Sequence, residues 1–407
     1  MSQVRSVLVV GASASGLATA EALRRKGFGG TLTLVGAEAE TPYDRPPLSK
    51  QVLSGAWEPQ RAQLRSAEAL ARLDAEFVLG EQAVALDADR LRVTTEAGRT
   101  LAADAVVIAT GVGARLLPGQ RGVRGVHAIR TLADSVALRA ELVAARRVVV
   151  LGDGVLGAEA AATARQGGAE VTLAGPQPAP LTRQLGHTTA QHLAALHRDH
   201  GVKLHGGVLP EDLHTRDGRV TGVRLSDGTE LEADVVITAI GSLPATGWLD
   251  GSGLTVDDGV VCDAHCRAAP GVWAVGDVAR WHHRGLGRPL RLENRTNASE
   301  QALAVAADIL GQGRPYTPVP YFWTDQFDTK IQVHGLVPPE AEATVVDGDA
   351  GTGRFVVRLD GPAGPECVLG WNMPKQARLR RTSLLDRYTH QPSTATALGT
   401  ATATATA

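Results

Sequence analysis

Valine-rich apolar runs of strand length recur along the chain, and two of them are followed by the same sequel. Val4–Val10 reads as a strand and leads into Gly11-Ala-Ser-Ala-Ser-Gly16. Next comes LATAEALRRKG, whose Ala and Leu positions recur at helical spacing until Gly27. A second apolar run, Thr31–Val35, ends in Gly36-Ala-Glu38. The order then repeats: a strand at Arg147–Leu151, the turn Gly152-Asp-Gly-Val-Leu-Gly157, a helical AEAAATARQGG and a strand at Glu170–Ala174. Each copy has a later companion strand ending in glycine, ADAVVIATG at Ala103–Gly111 and ADVVITAIG at Ala233–Gly241. Gly152 lies 141 positions after Gly11, and Ala233 lies 130 after Ala103.

Strand, glycine turn, helix, strand and acid is the order of a dinucleotide-binding unit. Gly11 permits the tight turn and Gly16 lets the helix approach the strand. Ser13 stands where the middle glycine would be, with Ala14 and Ser15 beside it. The helix N-terminus offers unpaired N–H groups to a diphosphate, and Glu38 is placed to accept ribose hydroxyls. The second copy, Gly152, Gly154 and Gly157, is a complete G-x-G-x-x-G. Two such sites imply electron transfer between two dinucleotides, most simply from a nicotinamide to a flavin. In VWAVGDVARW, a strand at Val272–Val275 precedes Gly276 and Asp277. A short carboxylate at a helix start there suits a flavin's ribityl chain, and it equally suits a helix cap.

The pattern predicts an α/β fold with two Rossmann-like dinucleotide-binding domains, and 407 residues suffice for two to three domains. Lys plus Arg is 41 against 43 Asp plus Glu, and aromatics are 4%, which argues against a nucleic-acid binder. No apolar run reaches the roughly 18 residues of a membrane helix, and MSQVRSVLVVGASASG begins in a strand, so no leader is expected. Cys262, Cys266 and Cys367 make neither a disulfide framework nor a zinc site. A cytoplasmic protein without a metal centre follows as the expectation. Only 5 of the basic residues are lysines, which singles out Lys50.

The motifs PYDRPPLSK (Pro42–Lys50), GSLPATGWL (241–249), VWAVGDVARW (272–281), RLENRTNASEQ (291–301) and YFWTDQF (321–327) carry a resemblance. From residue 4 to about 385 the chain resembles the FAD-dependent pyridine-nucleotide reductases that serve oxygenase and cytochrome P450 systems. That resemblance implies an FAD domain in two pieces, 1–115 and 243–318, around an inserted NAD(P)H domain, 116–242. An α+β interface domain, 319–390, and a disordered Ala/Thr tail, 391–407, would follow. It places Ser13, Glu38, Arg45, Lys50, Ala109, Thr110 with Gly111, Arg115, Asp277 and Trp323 against FAD. Gly152, Gly154, Leu156, Gly157 and Glu159 would line the nicotinamide site. Lys50 and Glu159, the latter in the first turn of the second unit's helix, would meet as a catalytic pair at the flavin–nicotinamide junction.

No cysteine pair occupies Ser49–Glu58, where disulfide reductases of this architecture carry one, so electrons must leave from the flavin itself. A one-electron [2Fe–2S] ferredoxin, and through it an oxygenase or P450, is the implied partner; a monomer or weak homodimer is expected. Gly175 stands where relatives have a carboxylate. NADH is nonetheless expected as the reductant, with NADPH open because Arg183 follows in the next loop. Asp153 adds a negative charge to the phosphate loop, Val155 replaces a frequent aromatic residue, and Arg295 replaces a frequent Trp. His282 and His283 read as a solvated loop. KQARLRR (Lys375–Arg381) reads as the wet face of a helix or as a docking site for an acidic ferredoxin. Two alternatives stay open: a rubredoxin reductase or NADH oxidase of the same fold, and a flavin-binding regulator with a degenerate nicotinamide site.

Overall fold

In the computed structural model, which describes residues 4–362 and 364–389, the first valine run forms β1 (Ser6–Val10). The Ala/Leu stretch forms α1 (Ala14–Arg25), and the next apolar run forms β2 (Thr31–Gly36). β1 pairs in parallel with β2 on one side and with Ala105–Ile108 on the other. Strands covered on both faces read as unbroken apolar runs, which is why no alternation marks them. The same six-stranded sheet takes up Val272–Ala274 and Arg267–Ala269, with Val272 opposite Val106. A segment far along the chain thus returns to complete the first sheet.

Between those pieces lies the second unit: β3 (Arg147–Leu151), α2 (Val155–Gln166), β4 (Glu170–Gly175) and α3 (His187–Asp199). Its five-stranded sheet is parallel throughout. The two glycine turns are near copies. Gly11 has φ +120° and Gly152 φ +110°, a region open to glycine. A Cβ on Gly16 or Gly157 would lie 1.8 Å from the carbonyl oxygen of Gly11 or Gly152 respectively. Each helix therefore starts in direct contact with its own turn, and its N-terminus is held at the strand ends.

α4 (Arg295–Ile309) packs on α1, and β5 (Tyr321–Gln326) opens an antiparallel five-stranded sheet with β6 (Thr329–Gly335) and three later strands. One apolar core joins three parts of the chain. Leu48, Val52 and Leu53 come from the segment after β2, Val150 and Leu173 from the second sheet, and Val333, Phe355 and Trp371 from the C-terminal sheet.

Several boundaries and placements differ from the sequence expectation. β1 starts at Ser6, and β2 and β4 each run one residue further, into a glycine. Asp277 lies in a single 3-10 turn, Gly276–Val278, that leads into a strand, so it does not open an α-helix. His282 and His283 belong to that strand, Ala279–His283; His283 is buried and bonds the Pro318 carbonyl oxygen at 2.9 Å. The basic stretch begins a short helix, Pro374–Arg380, with Ala377 buried and Arg380 paired with Asp347. All three cysteines are free and buried, and burial pushes the Cys262 thiol up to about 12. The tail 391–407 lies outside the described residues.

Two outcomes are expected. Gly157→Ala forces a methyl into the Gly152 carbonyl and lowers stability by about 1–3 kcal/mol. Gly154→Ala, whose Cβ meets nothing within 4 Å, is tolerated; thermal unfolding of both variants tests this. His334 is buried with neither ring nitrogen hydrogen-bonded, and burial together with Arg381 holds it down at about 4. The unfolded chain takes up that proton near pH 6.5, so stability falls as pH drops from about 6.5 towards 4. The loss reaches about 2 kcal/mol by pH 5. His334→Phe removes this part of the acid sensitivity, measured by urea unfolding at pH 7 and pH 5.

Candidate active site

Both glycine turns face one cleft. α1 starts at Ala14 with no side-chain cap from Ser13 and no acid in its first turn, so its N–H groups remain available. Two cavities meet there, of about 700 Å³ and 370 Å³, sharing Ser13, Arg45, Ala109 and Thr110 as walls. The smaller is lined also by Gly11, Glu38 and Trp248. The larger brings Ala14, Ser15, Lys50, Gly111, Asp277 and Trp323 together with Gly154, Leu156 and Glu159 of the second unit. Gly16, Gly152, Gly157 and Gly276 line neither cavity; they shape the turns behind it. Arg115 lines neither, and its backbone N–H donates to the Gly241 carbonyl at 3.0 Å.

At the narrow end, Arg45 donates to Glu38 Oε1 at 2.7 Å, and the Tyr43 hydroxyl donates to the other carboxylate oxygen. Burial pushes the Tyr43 hydroxyl up to about 12 against the pull of Arg45. Arg45 also donates to the Arg130 carbonyl oxygen at 2.5 Å. Arg130 is an arginine that sequence reasoning missed, since nothing local sets it apart from the many others. Its guanidinium stands 3.6 Å from Asp277, and its buried Nε has no partner. Burial lowers Arg130 and raises Asp277, each towards its neutral form. A guanidinium with an unpartnered Nε, on the same cavity wall as an open helix N-terminus, is a donor set that suits a diphosphate. The residues present therefore fit FAD lying along the joined cavities.

At the wide end the two units touch. Two prolines open the 3-10 turn Pro46–Ser49, and Lys50 follows it. Lys50 Nζ lies 2.8 Å from Glu159 Oε2, and the Ser49 hydroxyl donates to the same oxygen at 2.6 Å. Thr324 of β5 donates to Glu159 Oε1 at 2.8 Å. The side chains of Lys50 and Glu159 are only 12% and 5% exposed. Because Gly154 is the cap residue, Glu159 is the fifth residue of α2, beyond the first turn expected for it. That places its carboxylate inside the junction of the two units and the C-terminal sheet. The network continues: Gln326 Nε2 donates to the Thr324 hydroxyl at 3.0 Å, and Gln326 Oε1 meets His197 Nε2 of α3 at 2.6 Å. Ser49, Thr324, Gln326 and His197 were not anticipated. The spacing of Thr324 and Gln326 within TDQ, which puts both on one strand face, was the available signal.

Trp323 continues an aromatic wall, with the Tyr321 ring 6.1 Å away and His334 stacked 4.7 Å beyond that. Arg295, paired with Asp44 and Ser299, also lines the large cavity, as does Val155. No cysteine lines either cavity. Asp153 lines neither cavity; its carboxylate lies at the end of β4, where it accepts the Gln177 backbone N–H.

The comparisons agree with this geometry. The pyridine nucleotide-disulphide oxidoreductase family matches residues 5–302, and a reductase C-terminal family matches 321–403. The anthranilate 1,2-dioxygenase system ferredoxin–NAD(+) reductase component of Burkholderia cepacia is 38% identical over 86% of both chains. Rhodocoxin reductase of Rhodococcus erythropolis is 33% identical over 86% of this chain and 83% of its own. Among solved structures, the covalent putidaredoxin reductase–putidaredoxin complex superposes with a TM-score of 0.89 at 32% identity, covering 94% of this chain and 93% of that one. With two glycine turns facing a shared cleft and a family match over most of its length, the chain belongs to the pyridine nucleotide-disulphide oxidoreductase family.

Proposed function

We propose that this chain is an FAD-dependent NAD(P)H:ferredoxin oxidoreductase, delivering electrons to a [2Fe–2S] ferredoxin that feeds an oxygenase or cytochrome P450. The observation that carries the reading is a cleft shared by two dinucleotide units with no cysteine on its walls. Relatives named as ferredoxin reductase components of oxygenase systems support it. Bound FAD supplies the exchange between a nicotinamide's electron pair and single electrons.

The chain's own residues bind, orient and shield. The α1 N-terminus and Arg130 would hold the diphosphate, Glu38 the adenosine ribose and Asp277 the ribityl chain. Trp323 would pack against the flavin, while Gly154 and Leu156 would line the approach of the nicotinamide. Lys50, held by Glu159, would place a positive charge beside the flavin that favours negative charge there. The division 1–115 with 243–318, 116–242 and 319–390 is supported by the six-stranded sheet, the parallel five-stranded sheet and the antiparallel five-stranded sheet. Among the described residues no helix is long and apolar enough to cross a membrane. Three free, buried thiols support a cytoplasmic placement.

An anaerobic titration of the FAD-loaded protein tests the reading. Stoichiometric bleaching of the flavin by NADH or NADPH is expected, and a protein that neither bleaches overturns it. For the ion pair, Lys50→Met is expected to slow flavin reduction at least about tenfold and to lower the melting temperature by leaving Glu159 unpaired. Adding Glu159→Gln restores the melting temperature and leaves the rate low. Stopped-flow reduction and calorimetry on both variants separate the two roles, and an unchanged rate in the single variant removes Lys50 from the chemistry.

A further inference from the structure

Dinucleotide units that take NADH usually carry a carboxylate at the end of their second strand, where it hydrogen-bonds the 2′-hydroxyl of the adenosine ribose. Here that strand, β4, ends at Gly175. The position is nevertheless not empty of charge. A Cβ at Gly175 would lie 2.3 Å from Asp153 Cγ and 2.5 Å from Asp153 Oδ2. Asp153, the residue between the first two glycines of the phosphate loop, has swung over the strand end and fills the space of the missing side chain. The two positions exclude each other, because any side chain at 175 would evict this carboxylate. Glycine at 175 and aspartate at 153 are therefore one feature.

The carboxylate is built in. Asp153 is 5% exposed; its Oδ2 accepts the Gln177 backbone N–H at 2.7 Å and its Oδ1 the Gln177 side-chain amide at 2.8 Å. Gln177 Oε1 accepts the Arg183 N–H at 2.8 Å, and the Leu181 N–H donates to the Asp153 carbonyl oxygen at 2.9 Å. These bonds clamp the phosphate loop to the 177–183 loop and hold the charge at the strand end. Arg183, the first basic residue after β4, lines the large cavity.

We propose that Asp153, seated over Gly175, is the specificity-determining carboxylate for the 2′ position of the nicotinamide substrate's adenosine ribose, so that the chain selects NADH over NADPH. The inference rests on the nicotinamide site proposed above. A 2′-phosphate brought to this strand end is repelled by a fixed negative charge, whereas a neutral 2′-hydroxyl is not.

The test is equilibrium binding of ADP-ribose and 2′-phospho-ADP-ribose to the FAD-loaded protein by calorimetry, which reads recognition without turnover. The unmodified chain is expected to bind ADP-ribose at least about tenfold tighter than its 2′-phosphate. Asp153→Asn keeps the side chain's size and a carbonyl acceptor while removing the charge. It is expected to cut that ratio at least about fivefold, chiefly by tightening the 2′-phosphate, with a melting temperature confirming the fold. Equal or tighter binding of the 2′-phosphate by the unmodified chain overturns the proposal whatever the variant does. So does a ratio that Asp153→Asn leaves unchanged, and in either case the nicotinamide site itself stands. Failure of the unmodified chain to bind either compound removes the nicotinamide site, and this inference with it.

Discussion

A buried ion pair between Lys50 and Glu159 holds the molecule's working geometry, because its four participants come from three separate stretches of chain. Ser49 and Lys50 end a proline-opened turn after β2, Glu159 sits on α2, and Thr324 reaches in from β5. Charges taken this far out of water are stable only when their remaining bonding capacity is met. Here Glu159 accepts from a lysine and two hydroxyls at 2.6–2.8 Å. An apolar core running from Leu48 through Val150 to Phe355 and Trp371 packs the same three parts of the chain together. Apolar packing brings the three parts together, and the ion pair sets the register in which they meet.

Around that junction the two dinucleotide units act as copies of one device. In each, a glycine at strongly positive φ turns the chain back, and a second glycine lets the helix start against the turn. The first copy opens on Arg130 and Asp277, two partly buried groups, and the unpartnered Nε of Arg130 is a donor that an anion at the helix N-terminus would satisfy. The second copy has its phosphate loop tied sideways through Asp153 and Gln177. Gly175 and Asp153, which in the sequence look like two separate departures, share one space in the structure.

The linear sequence determined the two β-α-β units and their glycine turns, while the return of VWAVGD to the first sheet and the pairing of Lys50 with Glu159 were implied by the family resemblance. The units and turns are local and repeated. Strand and helix periodicity, positive-φ glycines and helix N-termini depend on near neighbours, and a repeat doubles the signal. Lys50 was legible because lysine is rare in this chain. Arg130 was not, because arginine is common and its value lies in an unpaired Nε that exists only after burial. Thr324, Gln326 and His197 join the site through contacts spanning more than a hundred residues, which no spacing rule encodes. Tertiary structure alone decided that Asp277 lies in a 3-10 turn, that His283 is buried, and that the Asp153 carboxylate occupies the place of a side chain at 175. In each case the deciding quantity is which groups share a desolvated space, and that is settled only when distant parts of the chain pack together.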